Sequence, residues 1–207
     1  MRQGVTPRRR LDGDISLPGD KSISHRAAIL NSLAHGTAVI RNYGPGEDCL
    51  STLRCLASLG IEIAQTATDQ LTLIGSDREL KEPTNVLDAG NSGTTMRLLA
   101  GVVAGQQFHS ILTGDPSLRS RPMGRVIEPL QKMGATIHGR GKDTLPPLSI
   151  LGGSLQGLDY DLPVPSAQLK SCLLLAGLSA TGKSVIREPT QSRDHTERML
   201  INMGASL

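Results

Sequence analysis

Leu56-Ala-Ser-Leu-Gly60-Ile-Glu-Ile63 recurs twice more along the chain, as Leu130-Gln-Lys-Met-Gly134-Ala-Thr-Ile137 and Leu200-Ile-Asn-Met-Gly204-Ala-Ser-Leu207. The three glycines follow one another at intervals of about 70 residues. Before the middle copy, apolar residues have the i, i+3, i+4, i+7 spacing of a helix, at Met123, Val126, Ile127, Leu130 and Met133. Each copy therefore predicts an amphipathic helix that ends at a glycine cap and leads into a strand.

A second repeated pattern lies upstream of each copy. It has a polar start, a helical stretch that is apolar on nearly all sides, a glycine and a strand-like run. The helical stretches cover residues 21–36, 91–105 and 166–182, and the strands 37–41, 109–113 and 184–187. Helices this apolar are expected to be buried on most sides.

The two patterns together define a unit of strand, buried helix, strand, amphipathic helix and strand, with further strands expected at 71–74 and 148–151. Alternating strands and helices of this kind predict an α/β class. Two units are complete in sequence, and the third stops at Leu207 as its next strand begins. We expect that third unit to leave an unpaired sheet edge and exposed apolar helix faces.

Composition excludes several classes of function. The 207 residues include 38% hydrophobic residues but only one Phe, two Tyr and no Trp, so base stacking, which needs aromatic platforms, is not expected. A net charge of +3 is too balanced for a general nucleic-acid binder, and the basic N-terminus (Arg2, Arg8, Arg9 and Arg10) is interpreted as a solvated tail.

The sequence also gives no sign of a membrane span, a secretory signal, a disulfide framework or a metal site. Its longest apolar run is short, and no apolar segment follows the basic N-terminus. Its three cysteines form no CxxC pair, which fits a reducing, cytoplasmic location. The five histidines are scattered without carboxylate partners at metal or triad spacing, and we interpret them as solvent or loop residues.

The starts of the three buried helices are the candidate site. They read Gly19-Asp-Lys-Ser-Ile-Ser-His-Arg26, Gly90-Asn-Ser-Gly-Thr-Thr-Met-Arg97 and Pro165-Ser-Ala-Gln-Leu-Lys170, each with capping Ser, Asn or Thr and a Lys or Arg in the first turns. A cation there opposes the helix dipole unless an anion binds beside it. Three such starts in equivalent units predict one face that binds phosphate or carboxylate.

These residues resemble the 5-enolpyruvylshikimate-3-phosphate synthases (3-phosphoshikimate 1-carboxyvinyltransferases). The resemblance runs from about Leu11 to the last residue, and its motifs also include Arg121-Pro-Met-Gly-Arg125 and Ser192-Arg-Asp-His-Thr-Glu197. It implies an inside-out α/β barrel of repeated βαβαββ units, with buried parallel helices and sheets outside. It also implies transfer of the carboxyvinyl group of phosphoenolpyruvate to the 5-hydroxyl of shikimate 3-phosphate, with no metal or organic cofactor.

The resemblance assigns roles to individual residues. Those expected to hold shikimate 3-phosphate are Lys21, Ser22, Arg26, Ser166, Ala167, Gln168 and Arg193. Those expected to hold phosphoenolpyruvate are Lys21, Asn91, Gly93, Thr94, Arg121 and Gln168. Lys21 would also be the catalytic residue of this chain, because the family's acid/base carboxylate comes from another domain. Leu98, where many members have Pro, and Ala167, where others have Ser, depart from the family pattern.

The resemblance also implies a domain organisation. Residues 1–19 would be a tail and hinge strand that belongs with the second domain, residues 20–207 one domain of three repeats with the third truncated, and the C-terminal domain would be a separate partner. We expect the complete enzyme to be a cytoplasmic monomer.

Three alternatives stay open. The chain could be a binding half without catalysis, or a related transferase that acts on a UDP-sugar. Gly177-Leu-Ser-Ala-Thr-Gly182-Lys183-Ser184 also matches the P-loop pattern, but a helix-like stretch precedes it and a strand-like run follows, the reverse of a P-loop.

Overall fold

The computed structural model describes residues 4, 10 and 12–207 and contains three structurally related units. Of the expected tail and hinge strand, residues 1–3, 5–9 and 11 lie outside the described residues. The first unit consists of α1 (Lys21–Leu33), β1 (Thr37–Ile40), α2 (Glu47–Ser58), β2 (Glu62–Ala67) and β3 (Gln70–Ile74). Its strands form an antiparallel sheet in the order β1-β3-β2.

The second unit has the full βαβαββ order. It consists of β4 (Leu87–Asp88), α3 (Gly93–Ala104), β5 (His109–Thr113), α4 (Gly124–Lys132), β6 (Thr136–Gly139), the short left-handed turn α5 (Arg140–Asp143) and β7 (Leu145–Leu151). A short 3-10 helix (Leu118–Ser120) precedes α4. The sheet order is β4-β5-β7-β6, in which β4 pairs parallel to β5 and the other pairs are antiparallel.

The third unit repeats the first part of this order. It consists of β8 (Leu155–Gln156), β9 (Asp159–Asp161), α6 (Ala167–Gly177), β10 (Ala180–Thr181), β11 (Val185–Arg187) and α7 (His195–Asn202). The pairs β8–β10 and β9–β11 are parallel, as β4–β5 is in the second unit. Among the described residues, the third unit has no antiparallel strand pair equivalent to β6 and β7 of the second unit.

The helices α1, α3 and α6 lie in the interior. In α3 only Thr94 is not buried, and α6 packs so closely on it that a Cβ at Gly101 would overlap the carbonyl oxygen of Cys172. This confirms the expectation that the apolar helical stretches are buried. Among the described residues no helix is both long and apolar enough to cross a membrane.

The amphipathic helices α2, α4 and α7 end in the same way. Gly60, Gly134 and Gly204 have φ of +89°, +100° and +88°, and only glycine adopts this left-handed region without strain. The next amide donates back into each helix, from Ile61 to Leu56 O and from Ala205 to Leu200 O in the outer units. The glycine caps predicted from the repeat are therefore confirmed.

Two glycines expected to end a buried helix differ from the prediction: Gly182 lies beyond β10, because α6 already ends at Gly177, and Gly105 has another backbone conformation. Gly105 caps α3 with φ of −91°, which any residue can adopt. A Cβ there would lie 2.6 Å from the Cβ of Ser179, so close packing, and not backbone conformation, favours glycine at this position.

The third unit exposes apolar surface that the other two bury. The residue before the capping glycine is Leu59, Met133 or Met203, and its exposed fraction is 0%, 1% and 42% respectively. A cavity of about 640 Å³ lies between α6 and α7, and its apolar lining includes Leu173, Leu174 and Leu200. The expected exposure of apolar helix faces in this unit is thus present.

Candidate functional site

The starts of α1, α3 and α6 lie together at one end of the molecule. Gln168 of α6 donates from Nε2 to Thr94 Oγ1 of α3 at 2.9 Å. Arg26 of α1 donates from Nη2 to Ser171 Oγ of α6 at 2.7 Å. Direct hydrogen bonds between the first turns confirm the expectation that the three starts face one side.

At the start of α1, the N-cap is Asp20, whose carboxylate accepts from the Ile23 amide at 2.8 Å. This corrects the expectation of a Ser, Asn or Thr cap at all three starts. Lys21 forms an ion pair with Asp48 of α2, and its side chain remains 59% exposed. The Ser22 hydroxyl accepts from Arg193 Nη1 at 3.2 Å, so the 192–197 motif lies against this helix start.

Arg26 is 4% exposed and is held by the protein itself. Its guanidinium donates to Thr196 Oγ1 at 2.6 Å, to Ser171 Oγ at 2.7 Å and to the Ser22 carbonyl at 2.9 Å. Burial lowers its pKa, although the nearby Glu197 carboxylate opposes the shift. Arg26 therefore joins α1 to the third unit, and two of its five N–H groups remain for a ligand.

The start of α3 is capped by Ser92, whose hydroxyl accepts from the Thr95 amide at 3.1 Å. Gly93 follows, and a Cβ there would lie 2.7 Å from Arg97 Nη1 and 3.4 Å from Arg121 Nη1. Two guanidinium groups thus approach one backbone position. Gly93 leaves room for Arg97, whose guanidinium would have to move if the residue had a side chain, while Arg121 would be in ordinary contact with it.

Arg97 is 7% exposed, and within the described part of the chain it makes no salt bridge. It donates to Gln168 Oε1 at 2.8 Å and to the Gly93 carbonyl at 3.3 Å, while its Nε is buried without a partner among the described residues. Burial, reinforced by the positive charges of Arg125 and Arg121, lowers its pKa to about 10. It therefore stays charged at neutral pH, and its charge is not neutralised by a carboxylate.

Arg121 is held from the loop before α3 and from the short 3-10 helix. Its Nη2 contacts Asn91 Oδ1, and the Asn91 amide donates to Asp115 Oδ2 at 2.6 Å. That hydrogen bond, with one from the Leu118 amide, holds the pKa of Asp115 below its usual value. Asn91 is thus fixed on both sides and orients Arg121.

At the start of α6, the Ser166 hydroxyl accepts from the Leu169 amide at 3.3 Å. Ser166, Ala167 and Gln168 are all partly exposed at this point. The Gln168 amide is oriented by Arg97 on its oxygen and Thr94 on its nitrogen. One of its two N–H groups remains unused by these contacts.

Lys170 corrects the expectation that each helix start presents a free cation. Its side chain is 8% exposed, and its ammonium contacts Glu188 and Glu197, each at 2.6 Å. Burial opposes its charge, but the hydrogen bonds that it donates to these carboxylates prevail and raise its pKa. Lys170 is therefore neutralised inside the protein and is a structural residue.

Reasoning from the sequence missed two features. Arg97 was recognised as a helix-start cation but not as part of the phosphoenolpyruvate set, although its position one turn beyond Gly93 places it on the same side of the helix. His25 was interpreted as a solvent or loop residue, but it is fully buried in α1, and burial lowers its pKa to about 4. The signal was its place within a buried helix.

The cysteines and the P-loop match have structural explanations. Cys49 and Cys172 are buried in α2 and α6, and burial raises their pKa values to about 11 and 12, so neither is a reactive thiolate at neutral pH. The P-loop match begins at the last residue of α6, includes β10 and ends at Ser184, immediately before β11. A helix before and strands after it are the wrong context for a P-loop, as the sequence predicted.

Comparison with known proteins gives consistent results. The family model for EPSP synthase (3-phosphoshikimate 1-carboxyvinyltransferase) matches residues 5–207. A 3-phosphoshikimate 1-carboxyvinyltransferase from Desulforudis audaxviator is 56% identical over 97% of this chain and 47% of its own length. One from Herpetosiphon aurantiacus is 52% identical over 100% of this chain and 48% of its own length.

Solved structures agree with the sequence comparison. EPSP synthase from Acinetobacter baumannii superposes with a TM-score of 0.90 at 46% identity, over 94% of this chain and 44% of that one. The predicted α/β fold of repeated units is confirmed by this match. The chain spans about half the length of the curated relatives it matches. This chain belongs to the EPSP synthase (3-phosphoshikimate 1-carboxyvinyltransferase) family.

Proposed function

We propose that this chain provides the shikimate 3-phosphate-binding half of a cytoplasmic 3-phosphoshikimate 1-carboxyvinyltransferase. The proposal rests on one observation. The starts of the three buried helices lie together, and two guanidinium groups, those of Arg97 and Arg121, approach the same glycine there. Both substrates carry a phosphate and a carboxylate, and preorganised cations with free helix N–H groups suit such ligands.

The shikimate 3-phosphate side is formed by α1, α6 and the 192–197 motif. Its proposed residues are Lys21, Ser22, Arg26, Ser166, Ala167, Gln168 and Arg193. Support comes from the contact between Ser22 and Arg193 and from the partial exposure of residues 166–168. Arg26 contributes its two unused N–H groups and holds α1 against the third unit.

The phosphoenolpyruvate side is formed by α3 and the Arg121 loop. Its proposed residues are Lys21, Asn91, Gly93, Thr94, Arg121 and Gln168. Support comes from the approach of Arg97 and Arg121 to Gly93 and from the orientation of Gln168 between α3 and α6. Asn91 acts by holding Arg121, and Arg97 adds a second positive charge beneath the loop.

The reaction proceeds by addition and elimination. The 5-hydroxyl oxygen forms a bond to C2 of phosphoenolpyruvate and loses its proton, while C3 gains one, which gives a tetrahedral intermediate. Loss of a C3 proton and cleavage of the bond from C2 to the phosphate oxygen then release phosphate. This half holds the two anions in line and stabilises the phosphate that departs; the acid/base carboxylate is proposed to come from the complementary half.

The complementary half is proposed to cover the apolar surface of the third unit. The cavity between α6 and α7 and the 42% exposed Met203 are the apolar surface that this unit leaves open. The exposed edge of β11 lies beside them, since among the described residues it pairs with β9 alone. The assembled enzyme is proposed to act as one 1:1 unit, equivalent to a monomer of the longer relatives.

Mixing the chain with a separately expressed C-terminal half of a relative tests the proposal. We expect no turnover by the 207 residues alone and release of phosphate from phosphoenolpyruvate and shikimate 3-phosphate by the mixture. Lys21→Met should abolish the restored turnover, whereas Lys142→Met, at an exposed lysine outside the helix starts, should not. Turnover by the chain alone would contradict the division into halves, and activity with a UDP-sugar acceptor instead of shikimate 3-phosphate would contradict the substrate assignment.

A further inference from the structure

A continuous chain of buried hydrogen bonds crosses from α1 to the start of α3. His25 Nδ1 lies 2.6 Å from Thr52 Oγ1 of α2, and Thr52 Oγ1 lies 2.7 Å from Thr95 Oγ1 of α3. Thr95 Oγ1 in turn lies 2.7 Å from Ser92 Oγ, the N-cap of α3. Four side chains on three helices therefore link the Lys21 helix to the residue that precedes Gly93.

None of the four side chains is accessible to solvent. The exposed fractions of His25, Thr52, Thr95 and Ser92 are all 0%. Within this chain the additional partners are the Thr95 amide, which donates to Ser92, and the Asp48 carbonyl, 3.3 Å from Thr95 Oγ1. Because buried hydroxyls cannot exchange partners with water, the direction of each bond constrains the next.

The free ring nitrogen of His25 decides that direction. Its Nε2 is buried without a partner among the described residues. A buried N–H without an acceptor is rarer in proteins than a buried acceptor without a donor. The favoured tautomer therefore carries its proton on Nδ1 and donates it to Thr52. Thr52 then donates to Thr95, and Thr95 donates to Ser92.

This direction has a consequence at the cap. Ser92 Oγ then accepts twice, from the Thr95 hydroxyl and from the Thr95 amide, so both of its lone pairs are used. Its own proton is directed away from Thr95, and because a hydroxyl can rotate, this costs less than a fixed ring N–H of His25 without an acceptor. With the opposite tautomer of His25 the chain reverses, and the Ser92 proton turns back towards Thr95.

We propose that His25 is a positioning residue that acts through Thr52 and Thr95 to fix the Ser92 cap and, with it, the first turn of α3. This inference rests on the proposed function, in which that turn holds phosphoenolpyruvate. His25 does not contact the ligand; it sets the orientation of the residue next to Gly93. The same chain ties α3 to the helix that carries Lys21, so the two proposed substrate sides share one rigid connection.

The first test observes the tautomer directly. In the 207-residue chain with ¹⁵N-labelled histidine, the NMR signals of His25 should show a protonated Nδ1 and an unprotonated Nε2 at neutral pH. A ring protonated on Nε2 would reverse the chain and overturn the proposal. In His25→Asn the amide nitrogen can take the place of Nδ1 as a donor, so the Thr95 amide should exchange its hydrogen at the normal rate. In His25→Leu, which has no donor, that exchange should be faster.

The second test breaks the chain in its middle. Thr52→Val removes the hydroxyl at nearly constant volume, and Thr52→Ser keeps it. We expect the Thr95 amide to exchange its hydrogen about tenfold faster in Thr52→Val and at the normal rate in Thr52→Ser, in line with the loss of about one hydrogen bond. The Ile23 amide, which is capped by Asp20 in α1, is the internal control and should not change. Equal exchange at Thr95 in both variants would overturn the proposal.

The third test connects the chain to ligand binding. Titration of the labelled chain with phosphoenolpyruvate, followed at the Gly93 and Thr94 amides, should show affinity about five- to tenfold weaker in Thr52→Val than in Thr52→Ser. Shikimate 3-phosphate affinity should differ by less than about twofold. Equal loss of both ligands would mean a general structural role and would overturn the proposal. If the unaltered chain binds neither phosphoenolpyruvate nor shikimate 3-phosphate, the proposed function of this half fails, and the tautomer and the Thr95 exchange rate still decide whether His25 fixes the cap.

Discussion

Replacing Arg97 with methionine should separate the stability of this chain from its ability to bind anions. Arg97 is 7% exposed and, among the described residues, has no carboxylate partner. Methionine is of similar length and uncharged, and it can fill the space of the aliphatic part of the side chain. The substitution therefore removes a buried charge without leaving a large cavity.

The magnitude follows from the pKa. Burial lowers the pKa of Arg97 from 12.5 to about 10. At 1.36 kcal/mol per pH unit, the folded chain is destabilised by about 3 kcal/mol when Arg97 is charged. Because the folded pKa is below the unfolded one, this penalty is complete at any pH below about 10 and disappears only as the pH rises towards 12.5.

The hydrogen bonds of Arg97 offset part of this penalty. The bond to Gln168 Oε1 at 2.8 Å has good geometry and is worth about 1.5–3 kcal/mol, as for charged donors in general. The bonds to the Gly93 and Pro122 carbonyls, at 3.3 and 3.4 Å, are longer and contribute less. Arg97→Met should therefore leave the free energy of unfolding unchanged or raise it by up to about 2 kcal/mol.

Urea unfolding followed by far-ultraviolet circular dichroism measures the stability, since the chain contains no Trp for fluorescence. Titration with phosphoenolpyruvate, followed by NMR, measures the binding. We expect the affinity of Arg97→Met to fall at least about tenfold, which corresponds to about 1.4 kcal/mol. Arg54→Met is the matched control, because Arg54 is exposed and pairs with Glu47 on the surface of α2.

Two results would refute the reasoning. A loss of about 3 kcal/mol or more in Arg97→Met would mean that the guanidinium is a fully satisfied structural cation, as in a broken buried ion pair. An unchanged affinity for phosphoenolpyruvate, with Arg54→Met also unchanged, would mean that the charge of Arg97 does not act at the Gly93 loop.

Three further predictions follow from the repeat and from the buried ion cluster. Met133→Ala should cost about 2–4 kcal/mol in urea unfolding and Met203→Ala less than about 1 kcal/mol, because the first side chain is 1% and the second 42% exposed; equal costs would contradict the difference between the units. Gly101→Ala should lower the free energy of unfolding by about 1–3 kcal/mol or more, although alanine favours helix, because its Cβ would overlap the backbone of α6; a more stable variant would contradict the close packing of α3 on α6. Burial opposes ionisation of Glu188, but hydrogen bonds from Lys170 and Ser192 prevail and lower its pKa. The stabilising effect of Glu188 is therefore complete above the unfolded pKa and is lost as the pH falls below about 4.5. The free energies of unfolding of Glu188→Gln and of the unaltered chain in urea should differ at pH 7 and converge in acid, and a constant difference would contradict the assignment.

The repeat allowed the fold to be predicted because each unit uses the same local rules. The apolar spacing around Met123 to Met133 predicted α4 and its buried face, and those two residues are 0% and 1% exposed. The strand predicted at 109–113 coincides with β5. Periodicity and glycine caps act within a few residues, so they can be read without knowing the partners in space.

The electrostatic state of the helix-start cations could not be predicted in this way. Lys170 and Lys21 occupy similar positions in sequence, but Lys170 contacts Glu188 and Glu197, which come from a later strand end and from α7. Whether a cation is neutralised depends on side chains that approach from other elements, and local spacing carries no information about them. For the same reason, His25 could not be recognised as the first member of a chain that runs through Thr52 of another helix.

The distribution of charge among the three units favours one of them as the main anion site. Lys170 is neutralised by two glutamates, and Lys21 shares its charge with Asp48. Within the residues that the structure describes, Arg97 and Arg121 make no salt bridge, and both approach the N-terminus of α3. The positive end of the helix dipole adds to their field. An anion that binds beside Gly93 therefore compensates the buried charge of Arg97. The free energy by which that charge destabilises the unliganded chain is then recovered as binding energy. Anion affinity at this site should consequently depend more steeply on salt concentration than anion affinity at the start of α6.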